Sequence, residues 1–240
     1  MKDRPDPDEP LTLRPIGHLR SGNRLKFHTR HQATEAPPDA STLELLPDQN
    51  FEQALKDLDG FSHLWLIWRF HLNPGWRPQV LPPRGPARRR GVFATRSPHR
   101  PNPLGLSVVP LLAVSGRQLL LGPTDLVDGT PVFDIKPYIP AYDSFPDASQ
   151  GWLDEADAWA RQPCAYRVEY SYYASEPALW LIDNWQVDFR PRLEEILARD
   201  PSPHSTRRIR PRGESQFEIG CGVWRAVFEV KETTVRVVAL

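Results

Sequence analysis

Cysteine is nearly absent from this sequence of 240 residues: Cys164 and Cys221 stand far apart and in no metal-ligand spacing. That argues against a zinc ribbon or a disulfide framework, and it fits a reducing compartment, with the cytoplasm as the expectation. Long apolar runs are missing too. No stretch of eighteen apolar residues occurs, so no membrane partner is expected, and the opening "MKDRPDPDEP" lacks the basic, apolar and small-residue order of a signal peptide. Residues 1–10 read as a disordered tail. The chain also lacks GxxxxGK[ST], a GxGxxG after a first strand, HExxH and GxSxG. The familiar phosphate-cradling, dinucleotide, zinc-hydrolase and serine-hydrolase sites are therefore not signalled. Net charge is zero, so charge as a whole predicts no polyanion.

What is present is unevenly placed. Between Asp59 and Asp125 there is no acidic residue, yet the interval carries Arg69, Arg77, Arg84, Arg88, Arg89, Arg90, Arg96, Arg100 and Arg117. A long acid-free interval on a neutral chain is a local positive field. Apolar residues make up 40% of the chain, with eight tryptophans, which is ample for a core. "LTLRPIGHLRS" and "STLELLP" alternate as strands around a long loop, and "DQNFEQALKDLDG" predicts one short helix with Asp48 or Asn50 as its cap. "FSHLWLIWRFHL" reads as a central strand covered on both faces. Residues 77–90, rich in proline and arginine, read as an exposed arm. "GVFAT", "LGLSVVPLLAV", "RQLLLG" and "DLVDGTPVFDIKPYIP" follow as strands, with Asp128-Gly129 as a turn. From about residue 141 the character shifts to "ASQGWLDEADAWARQ" as linker or helix, the strand "CAYRVEYSYY", one or two helices, and a closing hairpin or three-stranded piece. The expected fold is mainly β: a β-barrel-like N-terminal domain over 11–145 and a smaller α+β C-terminal domain over 146–240.

The densest chemistry lies in "TRSPHRPNPLG". Three prolines fix three φ angles in advance, so this loop loses little entropy on ordering and suits positioned groups. Period-two geometry puts Arg96, Pro98 and Arg100 to one side and Ser97 and His99 to the other. Two readings stand: Arg96 grips an anionic ligand group, or it pairs with a core carboxylate while the prolines block a sheet edge. In "DLVDGTPVFDIKPY", Asp128 reads as a turn residue, and Asp134 and Lys136 share a strand face where they pair with each other, with Arg96 or with a ligand. His63 reads as structural and His71, at the strand exit, is open. Arg199, Arg207, Arg208, Arg210 and Arg212 crowd "ARDPSPHSTRRIRPRG", for which a solvated loop is the simpler reading.

"RGVFATRSPHRPNPLGLSVV", taken with "LDGFSHLWLIWRFH" and "DLVDGTPVFDIKPY", closely resembles the TsaA-like (TrmO) family, whose characterised members are S-adenosylmethionine-dependent tRNA methyltransferases. The resemblance extends from about Leu11 to the C-terminus and weakens after Tyr138. It implies methylation at N6 of threonylcarbamoyladenosine at position 37 of tRNA, a homodimer, and no metal. By motif, cofactor contacts would come from Gln32, Ala33 and Thr34, from His71 and Leu72, from Arg96, from Leu106, and from Pro123, Thr124, Asp125 and Leu126. Asp134 is the candidate base, with Lys136 and Tyr138 as orienting groups, and Arg88, Arg89, Arg90 and Arg100 would hold tRNA phosphates. Two departures stand out: "HQAT" replaces the family's basic-Gln-Pro-Gly segment, and "DPSPHS" stands for "DPRPAY", so Ser202 and Ser205 replace an arginine and a tyrosine. The rival readings are a non-catalytic anion- or RNA-binding barrel and a small-molecule methyltransferase that has lost tRNA.

Overall fold

The computed structural model describes residues 8–22, 40–73, 75–213 and 215–240. In chain order the elements are β1 (Gly17–Arg20), β2 (Ser41–Leu45), α1 (Phe51–Ala54), β3 (His63–Arg69), β4 (Gln79–Val80), β5 (Arg90–Gly91), β6 (Leu104–Ser115), β7 (Gln118–Leu121) and β8 (Pro131–Pro137). There follow α2 (Pro140–Asp143), α3 (Trp152–Arg161), β9 (Arg167–Tyr170), α4 (Tyr172–Trp185), α5 (Arg190–Arg199), β10 (Ile209–Arg212), β11 (Gln216–Cys221), β12 (Trp224–Lys231) and β13 (Thr234–Ala239). The chain divides into two compact units, one of residues 1–78 and 96–146, the other of residues 79–95 and 147–240.

In the first unit six strands close into an antiparallel barrel in the order β1-β2-β7-β6-β3-β8. Closure leaves one interior, so every strand sends alternate residues inward. Leu19, Leu43, Leu45, Leu64, Leu66, Trp68, Val109, Leu119, Leu121 and Val132 supply that interior. This corrects one expectation: β3 is not covered on both faces. Leu64, Leu66 and Trp68 are buried, while His63, Trp65 and Ile67 are half-buried on the outer wall. Trp68 and Gly105 are directly paired across β3 and β6, and both face inward. A Cβ at position 105 would fall within the Trp68 indole, so the ring lies on bare backbone. The expected helix shrinks to four residues plus a 3-10 turn at Leu58–Gly60, and the Asn50 side chain donates to Gln53 Oε1 at 2.9 Å instead of capping a backbone amide.

In the second unit five strands run β10-β11-β12-β13-β9, antiparallel except for the parallel pair β13 and β9. Ala174 and Leu181 from α4 and Leu193 and Leu197 from α5 pack with Ile219, Phe228, Val235 and Val237. "GVFAT" is not a strand: after the two residues of β5 it coils into a 3-10 turn, Val92–Ala94, with Val92 buried. Residues 79–95 are tied to the rest of this unit by several side-chain contacts. Arg90 Nη2 donates to Glu155 at 2.6 Å and its guanidinium lies over Trp152. Trp152 Nε1 donates to Ala94 O at 2.7 Å. Arg207 donates through Nη1 to Asp200 at 2.7 Å and through Nη2 to Gly85 O at 2.7 Å, with its side chain almost wholly buried. The solvated-loop reading therefore fails for Arg207, and for Arg199, which donates to Trp159 O at 2.9 Å. His204 is buried next to this clamp, and burial, with the nearby Arg207 charge, pushes its pKa down to about 4.

Replacing Gly105 by alanine is expected to displace the Trp68 ring and cost about 1–3 kcal/mol by overpacking. Urea unfolding of the full chain measures it as a lower midpoint.

Candidate functional site

Several of the sequence-derived candidates of the first unit lie where β3 leaves the barrel and β6 enters it. Phe70 N–H donates to Pro103 O at 2.8 Å, which joins the exit segment holding His71 and Leu72 to the proline loop. From inside the barrel, Trp68 Nε1 donates to Ser107 Oγ at 3.2 Å, and Ser107 Oγ donates to Asp125 Oδ1 at 3.3 Å. The direction of this chain is forced. An indole N–H can only donate, so the serine oxygen accepts from it and its proton is left for the carboxylate. Ser107 is the inward residue two places beyond Gly105, so the same pleat that seats the indole delivers the hydroxyl.

Asp125 feels opposing influences. Burial pushes its pKa up from the ordinary carboxylate range, while its own backbone N–H, the Ser107 hydroxyl and the Arg96 charge hold it down. Burial prevails. The segment around it is anchored on several sides: Ser41 Oγ donates to Gly122 O, Ser21 N–H donates to Asp128 Oδ1 at 3.0 Å, and Leu126 N–H donates to Thr124 Oγ1 at 3.2 Å. Asp128 is thus the turn residue expected, followed by Gly129 at φ 76°.

The sequence-derived candidates separate into groups. Arg96 is exposed and within electrostatic reach of Asp125. Thr124 and Leu126 are buried in the barrel, which leaves their backbone groups as the parts a ligand can meet, and Pro123 is half-buried. Leu72 and Leu106 are about half exposed and present apolar surface, Leu106 on the outer wall. Asp134 and Lys136 lie on β8, where Ile67 pairs with Asp134 and Trp65 with Lys136, and Tyr138 follows directly after it. Leu106 and Asp134 therefore flank Ile67 on that outer wall, about 10 Å apart by strand spacing. Lys136 Nζ sits 3.0 Å from Asp134, and the Tyr138 ring tilts against Trp65 and, edge-on, against His63. His63, with Ser62 Oγ 3.0 Å from Nδ1, fits its structural reading. Arg88 and Arg89 are exposed, Arg100 is half-buried, and Arg90 is held by Glu155. Gln32, Ala33 and Thr34 lie outside the described residues.

Sequence reasoning missed Ser107 and Trp68. The available signal was a small polar residue at an inward position of "LGLSVV", where alternation predicts an apolar one. A surface depression lined by His18, Arg20, Glu44, Arg117 and Gln118 holds none of the site residues. Its charges are already engaged, Arg20 with Glu44 at 3.0 Å and Arg117 with Glu52 and Leu45 O. Among the described residues no group of three metal-ligating side chains occurs, and no helix is long and apolar enough to cross a membrane.

A barrel whose rim offers a guanidinium, a half-buried carboxylate and apolar side chains suits a zwitterionic ligand with an apolar ring. The family described as the tRNA-methyltransferase O N-terminal domain matches residues 18–144. The Escherichia coli K12 tRNA (adenine(37)-N6)-methyltransferase is 40% identical over 195 residues, 78% of this chain and 80% of that protein. A Pseudomonas aeruginosa relative named "Putative S-adenosylmethionine-dependent methyltransferase RcsF" is 40% identical over 200 residues, covering 80% of this chain and 82% of its own. The crystal structure of TrmO from Pseudomonas aeruginosa superposes with a TM-score of 0.53 at 32% identity, over 96% of this chain and 98% of that one. The chain belongs to the tRNA-methyltransferase O family.

Replacing Ser107 by alanine removes the donor that favours ionised Asp125 and the acceptor of the Trp68 N–H. The Asp125 pKa is expected to rise further, read as a carboxyl titration by NMR, with a stability loss of about 1–3 kcal/mol from the orphaned indole. A folded-state pKa above the unfolded one means that stability is greatest at acid pH and is lost as pH rises through it, so the variant's loss grows toward neutral pH.

Proposed function

We propose that this chain is an S-adenosylmethionine-dependent methyltransferase acting on N6 of threonylcarbamoyladenosine at position 37 of tRNA. The observation that carries this is the 40% identity with the Escherichia coli enzyme across four fifths of both chains. The site residues fit the cofactor. The Arg96 guanidinium suits its carboxylate, the half-buried Asp125 suits its ammonium or ribose hydroxyls, and Leu72 and Leu106 suit the adenine ring. His71 and the backbone groups of Pro123, Thr124 and Leu126 complete the contacts, together with Gln32, Ala33 and Thr34. When bound, the cofactor supplies an electrophilic methyl group on sulfonium sulfur.

The chain's own work is alignment and proton removal. The ureido-conjugated N6 is a poor nucleophile, so positioning does much of the catalysis, up to roughly 7–11 kcal/mol in well-oriented systems. Asp134 would accept the proton that N6 gives up on methylation. Lys136, 3.0 Å away, pairs with that carboxylate, and Tyr138 orients the acceptor. Arg88, Arg89 and Arg100 hold tRNA phosphates, whereas the Glu155 contact of Arg90 favours a role in fixing residues 79–95. The reaction takes place in the cytoplasm. A second copy covers the apolar outer wall, where Leu104, Leu112 and Leu120 are exposed.

Two measurements check this. Nucleoside mass spectrometry of tRNA from a host lacking the protein is expected to show loss of the N6-methylated species, restored by the wild-type gene. Arg96→Ala is expected to restore it poorly, with kcat/KM down about 10- to 100-fold; unchanged methylation in the host lacking the protein defeats the assignment. Light scattering is expected to give twice the chain mass for the wild type and a shift to monomer for Leu112→Glu. A wild type that is already monomeric removes the second copy.

A further inference from the structure

In the second unit Arg208 stands just before β10 with φ 60°, a left-handed conformation that side chains other than glycine rarely adopt. Its side chain lies over β11. A Cβ on Gly220 would meet the Arg208 Cζ and Nε at 2.8 Å, and Arg208 Nη1 donates to Gly222 O at 2.8 Å. Strand pairing brings further arginines to the same place. Arg225 is the partner of Gly220 across β11 and β12, and Arg210 is the partner of Glu218 across β10 and β11. Arg210 and Arg225 share the Glu218 carboxylate, at 2.5 and 3.6 Å. Arg192, from α5, joins Arg208 and Arg225 within electrostatic reach of the Cys221 thiol. Burial lowers the Arg208 pKa, and the like charges of Arg225 and Arg210 add to it.

Exposed apolar surface lies at the same end of β11 and β12, on the face that packs against the helices. The turn between β11 and β12 leaves Val223 70% exposed, and Trp185, 63% exposed, stands edge-on to Trp224 with ring centroids 6.4 Å apart. Arginines spread over two strands, a connecting segment and a helix match the repeated charges of a phosphodiester chain, and an indole at the same end of the sheet matches an unpaired base. An acidic peptide would answer the charges and leave the indole without a matching group.

We propose that this end of the second unit's sheet is an RNA-binding surface, in which Arg192, Arg208, Arg210 and Arg225 contact backbone phosphates and Trp185 stacks on an unpaired base. It rests on tRNA being the substrate, and adds a contact surface outside the barrel. Arg208 and Arg210 belong to the segment read from the sequence as a solvated loop, whereas Arg192, Arg225 and Trp185 were not singled out there.

The test uses the full-length chain and unfractionated tRNA, with fluorescence anisotropy measured over a range of salt. Arg225→Ala and Arg192→Ala, both exposed in the wild type, are each expected to weaken binding about three- to tenfold at low salt. Each should also flatten the dependence of log affinity on log salt by about one unit. Trp185→Ala is expected to weaken binding about tenfold, and S-adenosylmethionine affinity by calorimetry should stay unchanged in all three. Arg208→Ala removes packing as well as charge, so its binding is read only if its melting temperature matches the wild type. If the wild type binds and methylates tRNA while Arg225→Ala and Arg192→Ala keep its affinity and salt slope, the surface is refuted and the substrate reading survives. If the wild type does not bind tRNA, both fail.

Discussion

The Trp68 indole lies across the bare backbone of Gly105, and much of the first unit follows from that contact. A six-stranded barrel admits one inward set of alternate side chains, and a tryptophan is too large to share its layer with a facing Cβ. Glycine on the neighbouring strand makes room, and the indole N–H then reaches the next inward residue of β6. Because the indole cannot accept, Ser107 is polarised toward Asp125. A packing requirement inside the barrel thus sets the orientation of a carboxylate at its rim. The same strands present a different chemistry outside, where Ile67 separates Leu106 from Asp134 and Lys136.

The second unit shows how much context decides about arginine. Arg207 and Arg199 fall within "ARDPSPHSTRRIRPRG", yet they are spent on carbonyls and on the face of Trp159. Arg208, next in sequence to Arg207, turns through a left-handed backbone toward Gly220 and a group of like charges. Ser202 and Ser205, which depart from the family pattern, are exposed, while His204 between them is buried against the Arg207 clamp. The altered segment therefore retains a structural task. Residues 79–95 belong to that clamp as well, with Arg90 held by Glu155 and Leu81 O accepting from the Thr206 hydroxyl at 2.7 Å.

Period-two alternation and turn chemistry were readable along the chain. They gave β2, β7, β8, the turn at Asp128-Gly129 and the closing strands β11 to β13, because each depends on neighbours a few residues away. The mainly β class and the family resemblance followed from the same local patterns, the latter concentrated around Arg96. Where partners are distant the sequence was silent or misleading. "GVFAT" has strand composition but forms a turn, because residues 79–95 pair only briefly before meeting α3. β3 looked buried on both sides because its outer residues, Trp65 and Ile67, are apolar.

The sequence by itself determined which residues have strand character, which loop is stiffened by proline, and which family the motifs belong to, since these are properties of composition and short-range spacing. Only the tertiary structure decided that Ser107 would stand between an indole and a carboxylate, that Asp134 would lie on the outer wall beside Lys136, and that Arg207 would be buried while Arg225 is exposed. Those outcomes depend on strand order, register and barrel closure: the Ser107–Asp125 and Arg207–Gly85 bonds join residues 18 and 122 positions apart. Side-chain chemistry is carried by the residue, but its direction and its partner are set by the chain segment folded against it.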